Sequence, residues 1–215
     1  TRLMRLQLDV ARPLAKQAWA NIVRRKIKNQ AACLRLAERK DVDRMESYAR
    51  RVRSGDADNL EGQAAAFYFV QLYGTGFQRA EERWANAALD YGYAVLRGAI
   101  ARGLVAHGLH PTLGLFHDSE QNAFNLADDL IEPLRPLVDL HVFKHPPAVE
   151  GGLLPADKAA LVALLNVDIG MPQGRMSVLS AVEYAVESLV RLFEESDSAL
   201  ELPALIGLQP HRLEC

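Results

Sequence analysis

Apolar residues recur along most of this chain at the three-to-four spacing of helices, and no alternating, β-branched run marks a strand. Pro13 suits a first helical turn, and residues 14–36 predict one long helix. Trp19, Val23, Ile27 and Leu34 fall within about 80° of one another on its wheel and form the apolar face. Arg24, Lys28, Arg35 and Arg39 cluster within about 60° on the opposite side, as a solvated basic face. A second helix is predicted over 42–53. Asn59 then caps a helix that runs to about Tyr73. After the break at Gly74-Thr75-Gly76, residues 85–107 carry a stripe through Leu89, Val95 or Leu96, and Ile100. Further helices are expected over 120–140, bent or restarted by Pro133 and Pro136, and over 155–166 and 176–195. The picture is one all-helical domain over 1–215, with an exposed loop at 143–154 and an irregular tail at 203–215.

Charge alters this picture. Although the 215 residues carry a formal net charge of only -2, 15 of the 25 Lys and Arg lie in residues 1–53, with 5 of the 27 Asp and Glu. A basic third joined to an acidic remainder suits a polyanion partner, although two solvated, Arg-rich helices would give the same count. Two cysteines, Cys33 and Cys215, make no disulfide framework and suit a reducing compartment. No leader-like or membrane-length apolar stretch is present, so a soluble cytoplasmic chain is expected.

Three positions could carry chemistry. Glu61 lies in a first helical turn, where an acid favours the dipole, yet Gly62, Ala64, Ala65 and Ala66 around it would let the helix close on a neighbour. His117 precedes a helix, where a packing or capping role competes with ligation, and Asp118 makes it a His-Asp pair. Glu132 shares a helical face with Asp128 and Asp129, which is either a solvated acidic face or a place for a divalent cation.

Several segments carry a resemblance that weighs between these readings. GLHPTLGLFH at 108–117, NAFNLADDLIEPLRP at 122–136, NAALDYGYAVLR at 86–97 and Leu60-Glu61-Gly62 are similar, in order, to the CRISPR-associated integrase–endonuclease family. KIKNQAACL at 26–34 resembles the form found with type II CRISPR systems. The resemblance spans about residues 12–194. It implies a helical catalytic domain with a buried metal site, in which Glu61, His117 and Glu132 hold Mg²⁺ or Mn²⁺ and Asp129 supports them. It implies phosphoryl transfer on double-stranded DNA that inserts foreign spacers into a CRISPR array, with the basic face of Arg24, Lys28, Arg35 and Arg39 on the DNA. The family's strand-rich N-terminal domain has no counterpart in the segments read above, so residues 1–215 are expected to be a catalytic-domain fragment. Homodimerisation and contact with the small partner protein of the adaptation complex are expected to reside in that domain. Asp90 departs from the Asn that usually precedes Tyr-Gly-Tyr. Two rivals stay in view: a His-Asp metal phosphohydrolase using His107 or His110 with His117-Asp118, and a non-catalytic helical scaffold that binds DNA.

Overall fold

The computed structural model describes residues 2–147 and 151–212. Parts of two sequence expectations, 148–150 of the loop and 213–215 of the tail with Cys215, lie outside the described residues. Among the described residues, nine α-helices and one β-hairpin follow in the order α1 (Arg2–Leu8), α2 (Arg12–Leu36), α3 (Val42–Arg51), α4 (Leu60–Tyr73), α5 (Trp84–Ala106), α6 (Asn125–Ile131), α7 (Arg135–Lys144), α8 (Pro155–Ala163), β1 (Asp168–Met171), β2 (Gly174–Ser177) and α9 (Val178–Glu194). The fold is helical apart from this hairpin, as the periodicity predicts.

Helix α2 is the central post. Trp19, Val23, Ile27 and Leu34 are at most 1% exposed, but Ile22, Asn29, Gln30 and Cys33 are buried as well. The helix is therefore covered almost all round by α3, α4, α6 and α7. Leu89, Leu96 and Ile100 form the buried stripe of α5. Gly92 is needed there because a Cβ would come within 2.5 Å of Val138, so α5 and α7 pack closer than an alanine permits.

Three expectations are corrected. Residues 2–8 form a helix that the apolar pattern missed, because its buried residue is the polar Gln7. The Gln7 amide donates to the carbonyls of His110 (2.8 Å) and Leu113 (3.0 Å) and accepts from the His110 N–H. A hairpin pairs Asp168 with Ser177 and Met171 with Gly174, so the last long helix starts at Val178 and not at 176. The helix expected from 120 begins at Asn125. Before it, Asn125 and Ser119 bond reciprocally through side chain and backbone, and Asn122 reaches Asp128 at 2.7 Å. Such local bonds compete with helix formation.

Pro133 and Pro136 restart the helix as anticipated. Residues Glu132–Leu134 tighten into a 3-10 turn between α6 and α7. Residues 203–212 are irregular but anchored. Asn29, 2% exposed in the middle of α2, donates to the carbonyls of Pro133 (2.6 Å) and Pro203 (2.9 Å) and accepts from the Leu205 N–H (3.1 Å). No helix among the described residues is long and apolar enough to cross a membrane.

Candidate metal centre and its surroundings

Glu61 owes its position to an unusual helix start. Asn59 accepts from the Gly62 N–H, while the buried Asp56 carboxylate accepts from the N–H groups of Leu60 and Glu61, both at 2.9 Å. Three of the first free amides of α4 are thereby satisfied, and the turn carrying Glu61 is fixed. Glu132 opens the 3-10 turn that the two prolines impose. Between the two carboxylates stands Lys26 of α2. Its Nζ is 2.6 Å from Glu61 Oε1 and also meets Glu132 Oε2. Arg135 Nε donates to the other Glu132 oxygen at 2.7 Å.

The side chains of Glu132 and Lys26 are only 5% and 10% exposed, so this is a charge cluster largely withdrawn from water. Burial disfavours the Lys26 ammonium, but Glu132 and Glu61 outweigh it and raise its pKa. Burial likewise pushes Glu132 up, and the charges of Lys26 and Arg135 reverse that and hold it below the usual carboxylate range. Lys26 Nζ is the ionic partner of Glu132 Oε2, and Arg135 that of Oε1.

His117 is held from beneath by Asp129, which is fully buried. One Asp129 oxygen accepts from the N–H groups of Leu115 (2.6 Å) and Phe116 (3.1 Å), and the other from the His117 N–H (3.2 Å). The second oxygen also meets His117 Nδ1 at 2.7 Å. This bond, working against burial, raises the His117 pKa. With Nδ1 engaged, Nε2 is the ring nitrogen left to meet a ligand, the arrangement by which carboxylates commonly orient metal-binding histidines. Gly114 makes the loop possible, since a Cβ there would lie 2.2 Å from the His117 carbonyl and 3.0 Å from Asp129. Gly114→Ala should therefore cost about 1–3 kcal/mol in a thermal melt, the usual range for overpacking. An unchanged melting temperature would mean that the loop relaxes without disturbing Asp129.

The structure thus joins Glu61 and Glu132 through Lys26, and joins His117 to Asp129. No three His, Cys, Asp or Glu side chains stand ready as a metal cluster among the described residues. The donor set still fits a divalent cation, because two carboxylates from distant segments already converge on one buried positive charge. Lys26 escaped the sequence reading although a signal was present: 19, 26 and 33 share one helical face, and both Trp19 and Cys33 are buried.

Behind the cluster, a cavity of about 200 Å³ is lined by Lys26, Gln30, Tyr93, Glu132, Arg135 and Asp139, among others. Tyr68 donates to Asp139 at 2.9 Å and Tyr93 to its other oxygen. Burial pushes the Asp139 pKa up to about 6, opposed by those two hydroxyls. Arg135 lies over the Tyr93 ring at 4.6 Å, so Asp139 props the arginine that holds Glu132.

The predicted basic face is partly consumed by the fold. Arg24 donates to Asn21 and to the Val52 carbonyl, Arg35 pairs with Glu46 at 2.7 Å, and Arg39 donates to the Leu72 carbonyl above Phe143. Lys28 is exposed and has no partner among the described residues. It shares a groove of about 250 Å³ with Arg24 and Arg25, and burial lowers the pKa of Arg25. The histidines of the phosphohydrolase alternative do not assemble with His117. His107 bonds the Gly103 carbonyl near Glu183 and Glu187, and His110 accepts from the Thr112 N–H. Asp90 pairs with Arg79, which also bonds Asn86.

Comparison with known proteins agrees with this architecture. The family described as CRISPR associated protein Cas1 matches residues 2–146. A CRISPR-associated endonuclease Cas1 from Neisseria meningitidis serogroup C is 42% identical over 221 residues, covering 99% of this chain and 71% of the relative. One from Pyrobaculum aerophilum is 36% identical over 111 residues, covering 47% of this chain and 36% of the relative. Among solved structures, a casposase bound to integration product superposes with a TM-score of 0.73 at 17% identity, covering 93% of this chain and 70% of that one. A CAS1 protein from Thermotoga maritima gives 0.69 at 17% identity, with 92% and 74% covered. These two likenesses speak for the fold, whereas the profile match and the Neisseria relative establish the lineage: the chain belongs to the CRISPR-associated Cas1 family.

Proposed function

We propose that this chain is the catalytic part of a metal-dependent DNA endonuclease and integrase that inserts foreign spacers into a CRISPR array. The observation that carries the reading is the convergence of Glu61 and Glu132 on one buried cation. The names of its relatives, endonucleases and a casposase bound to integration product, point the same way.

Glu61, Glu132 and His117 through Nε2 would hold Mg²⁺ or Mn²⁺. The ion, when bound, supplies positive charge to a phosphoryl oxygen and lowers the pKa of the attacking hydroxyl or water. The chain's own residues do the rest. Asp129 fixes the His117 ring, Arg135 keeps Glu132 ionised, and Asp139 with Tyr93 keeps Arg135 in place. Lys26 balances the two carboxylates until a divalent cation competes for them. Lys28, Arg24 and Arg25, with Arg35 near the end of α2 and Arg39 just beyond it, give a sequence-independent hold on the DNA backbone. Solved relatives include a complex named Cas6-RT-Cas1–Cas2, which supports a partner of the Cas2 kind. A homodimer formed through a domain N-terminal to this one belongs to the same proposal.

Plasmid nicking tests it. The chain should nick DNA with Mn²⁺ and not with a chelator. Glu61→Ala and His117→Ala should each lose on the order of 100-fold or more, as removal of a ligand worth several kcal/mol requires. His107→Ala and His110→Ala should leave the rate unchanged, and a loss there would revive the phosphohydrolase alternative. In the same preparation, reversing charge at Arg25 and Lys28 should weaken all DNA sequences alike and flatten the salt dependence by about two counterions. DNA binding that survives with no nicking under any metal would favour the scaffold alternative.

A further inference from the structure

Phe116 is an apolar ring left in the open beside the histidine. It is 52% exposed, whereas Trp19, on which it lies, is 1% exposed. The two rings are parallel within 1° at a centroid distance of 4.2 Å. One face of Phe116 is therefore covered, and its exposure belongs to the other face and the edge. His117 meets both rings edge-on at 5.7 Å. The backbone of Phe116 is fixed by its N–H bond to Asp129, the same carboxylate that orients His117. Trp19 Nε1 has no hydrogen-bond partner among the described residues, so packing of its ring and not a polar bond sets the indole's place. The result is a two-ring stack whose outer surface borders His117.

We propose that the outer face of Phe116 stacks the unpaired base of the nucleotide adjoining the phosphate at the His117 site. This rests on the reading of the chain as a DNA-processing enzyme. A flat π-surface takes any base, because every base has a π-face. A protein partner fits the surroundings less well. The neighbours Asp118, Ser119, Glu120 and Gln121 are exposed and polar, so Phe116 is no part of a broad apolar patch. Asp118 and Glu120 would also repel a phosphate, which leaves the ring to meet a base. On the same loop Phe124, 38% exposed, has Arg97 over its ring at 5.1 Å, a second aromatic paired with a cation.

The test uses the whole chain without metal, so that no cleavage occurs, and a single-stranded oligonucleotide carrying 2-aminopurine at its 3′ end. Wild type should quench the probe on binding. Phe116→Leu, which keeps an apolar side chain on Trp19, should lose the quench and bind on the order of tenfold more weakly. Phe116→Tyr and Phe116→Trp should restore both, and melting temperatures should be alike across the set. Equal quenching and affinity with Leu would overturn the stacking role while leaving the endonuclease reading intact. Failure of wild type to bind DNA at all would overturn both. Unchanged DNA binding with weakened self-association in the Leu variant would reassign the ring to contact between copies.

Discussion

Replacing Lys26 with Met should lower the melting temperature of the metal-free chain by about 10 °C, and Mn²⁺ should restore most of the loss. Lys26 is the cation that two carboxylates share, with Glu132 almost wholly buried. Removing one partner of such a cluster costs about 3–5 kcal/mol, because the remaining charges keep the cost of leaving water without compensation. In a chain of this size each kcal/mol is worth about 2–4 °C. The distinguishing feature is rescue. A divalent ion that binds Glu61 and Glu132 no longer competes with an ammonium, so Mn²⁺ should bind Lys26→Met more tightly than wild type. Calorimetric titration measures the affinity and differential scanning the stability. A variant that stays destabilised at saturating Mn²⁺ would show that Lys26 has only a packing role.

Glu132→Gln should be damaged in both respects at once. The amide keeps the shape but leaves Glu61 as the one carboxylate against Lys26 and takes the carboxylate away from the Arg135 guanidinium. A loss of about 3 kcal/mol or more is expected, together with loss of nicking and of stabilisation by Mn²⁺. Combining it with Lys26→Met should be milder than the sum of the two, by about 1–3 kcal/mol, since the double variant buries fewer unmatched charges. Strict additivity in the thermal melts would mean that the two residues are not coupled, and the charge cluster would lose its place in the argument.

The sequence made the apolar framework legible because it is written in side-chain spacing. Trp19, Val23, Ile27 and Leu34 are buried as their spacing requires, and so are Leu89, Leu96 and Ile100. The cap at Asn59 and the restart at Pro133 and Pro136 are equally local signals. The short elements were hidden. Helix α1 buries a glutamine, and β2 reads Gly-Arg-Met-Ser, so neither shows an apolar period. At the site, the resemblance pointed to Glu61, His117, Glu132 and Asp129. What joins them is tertiary. Nothing in a run containing Arg24, Arg25, Lys26 and Lys28 declares that the third cation turns inward, unless its alignment with Trp19 and Cys33 is followed around the helix. The partners Val52, Glu46 and Leu72 of Arg24, Arg35 and Arg39 were likewise invisible, because they come from α3, α4 and the loop between them.

The clasp made by Asn29 bears on the order of assembly. One amide gathers the carbonyl next to Glu132 and a segment 174 residues away along the chain, while Lys26 sits a single turn earlier on the same helix. Contacts this distant in sequence carry the largest closure entropy and tend to form late. On a ribosome the helices around α2 can gather early, yet the turn bearing Glu132 lacks its full tether until residues 203–205 have been made. A growing polypeptide thus gathers its helices before the turn that carries Glu132 is fully tethered, so the proposed metal centre is the part of the fold completed last.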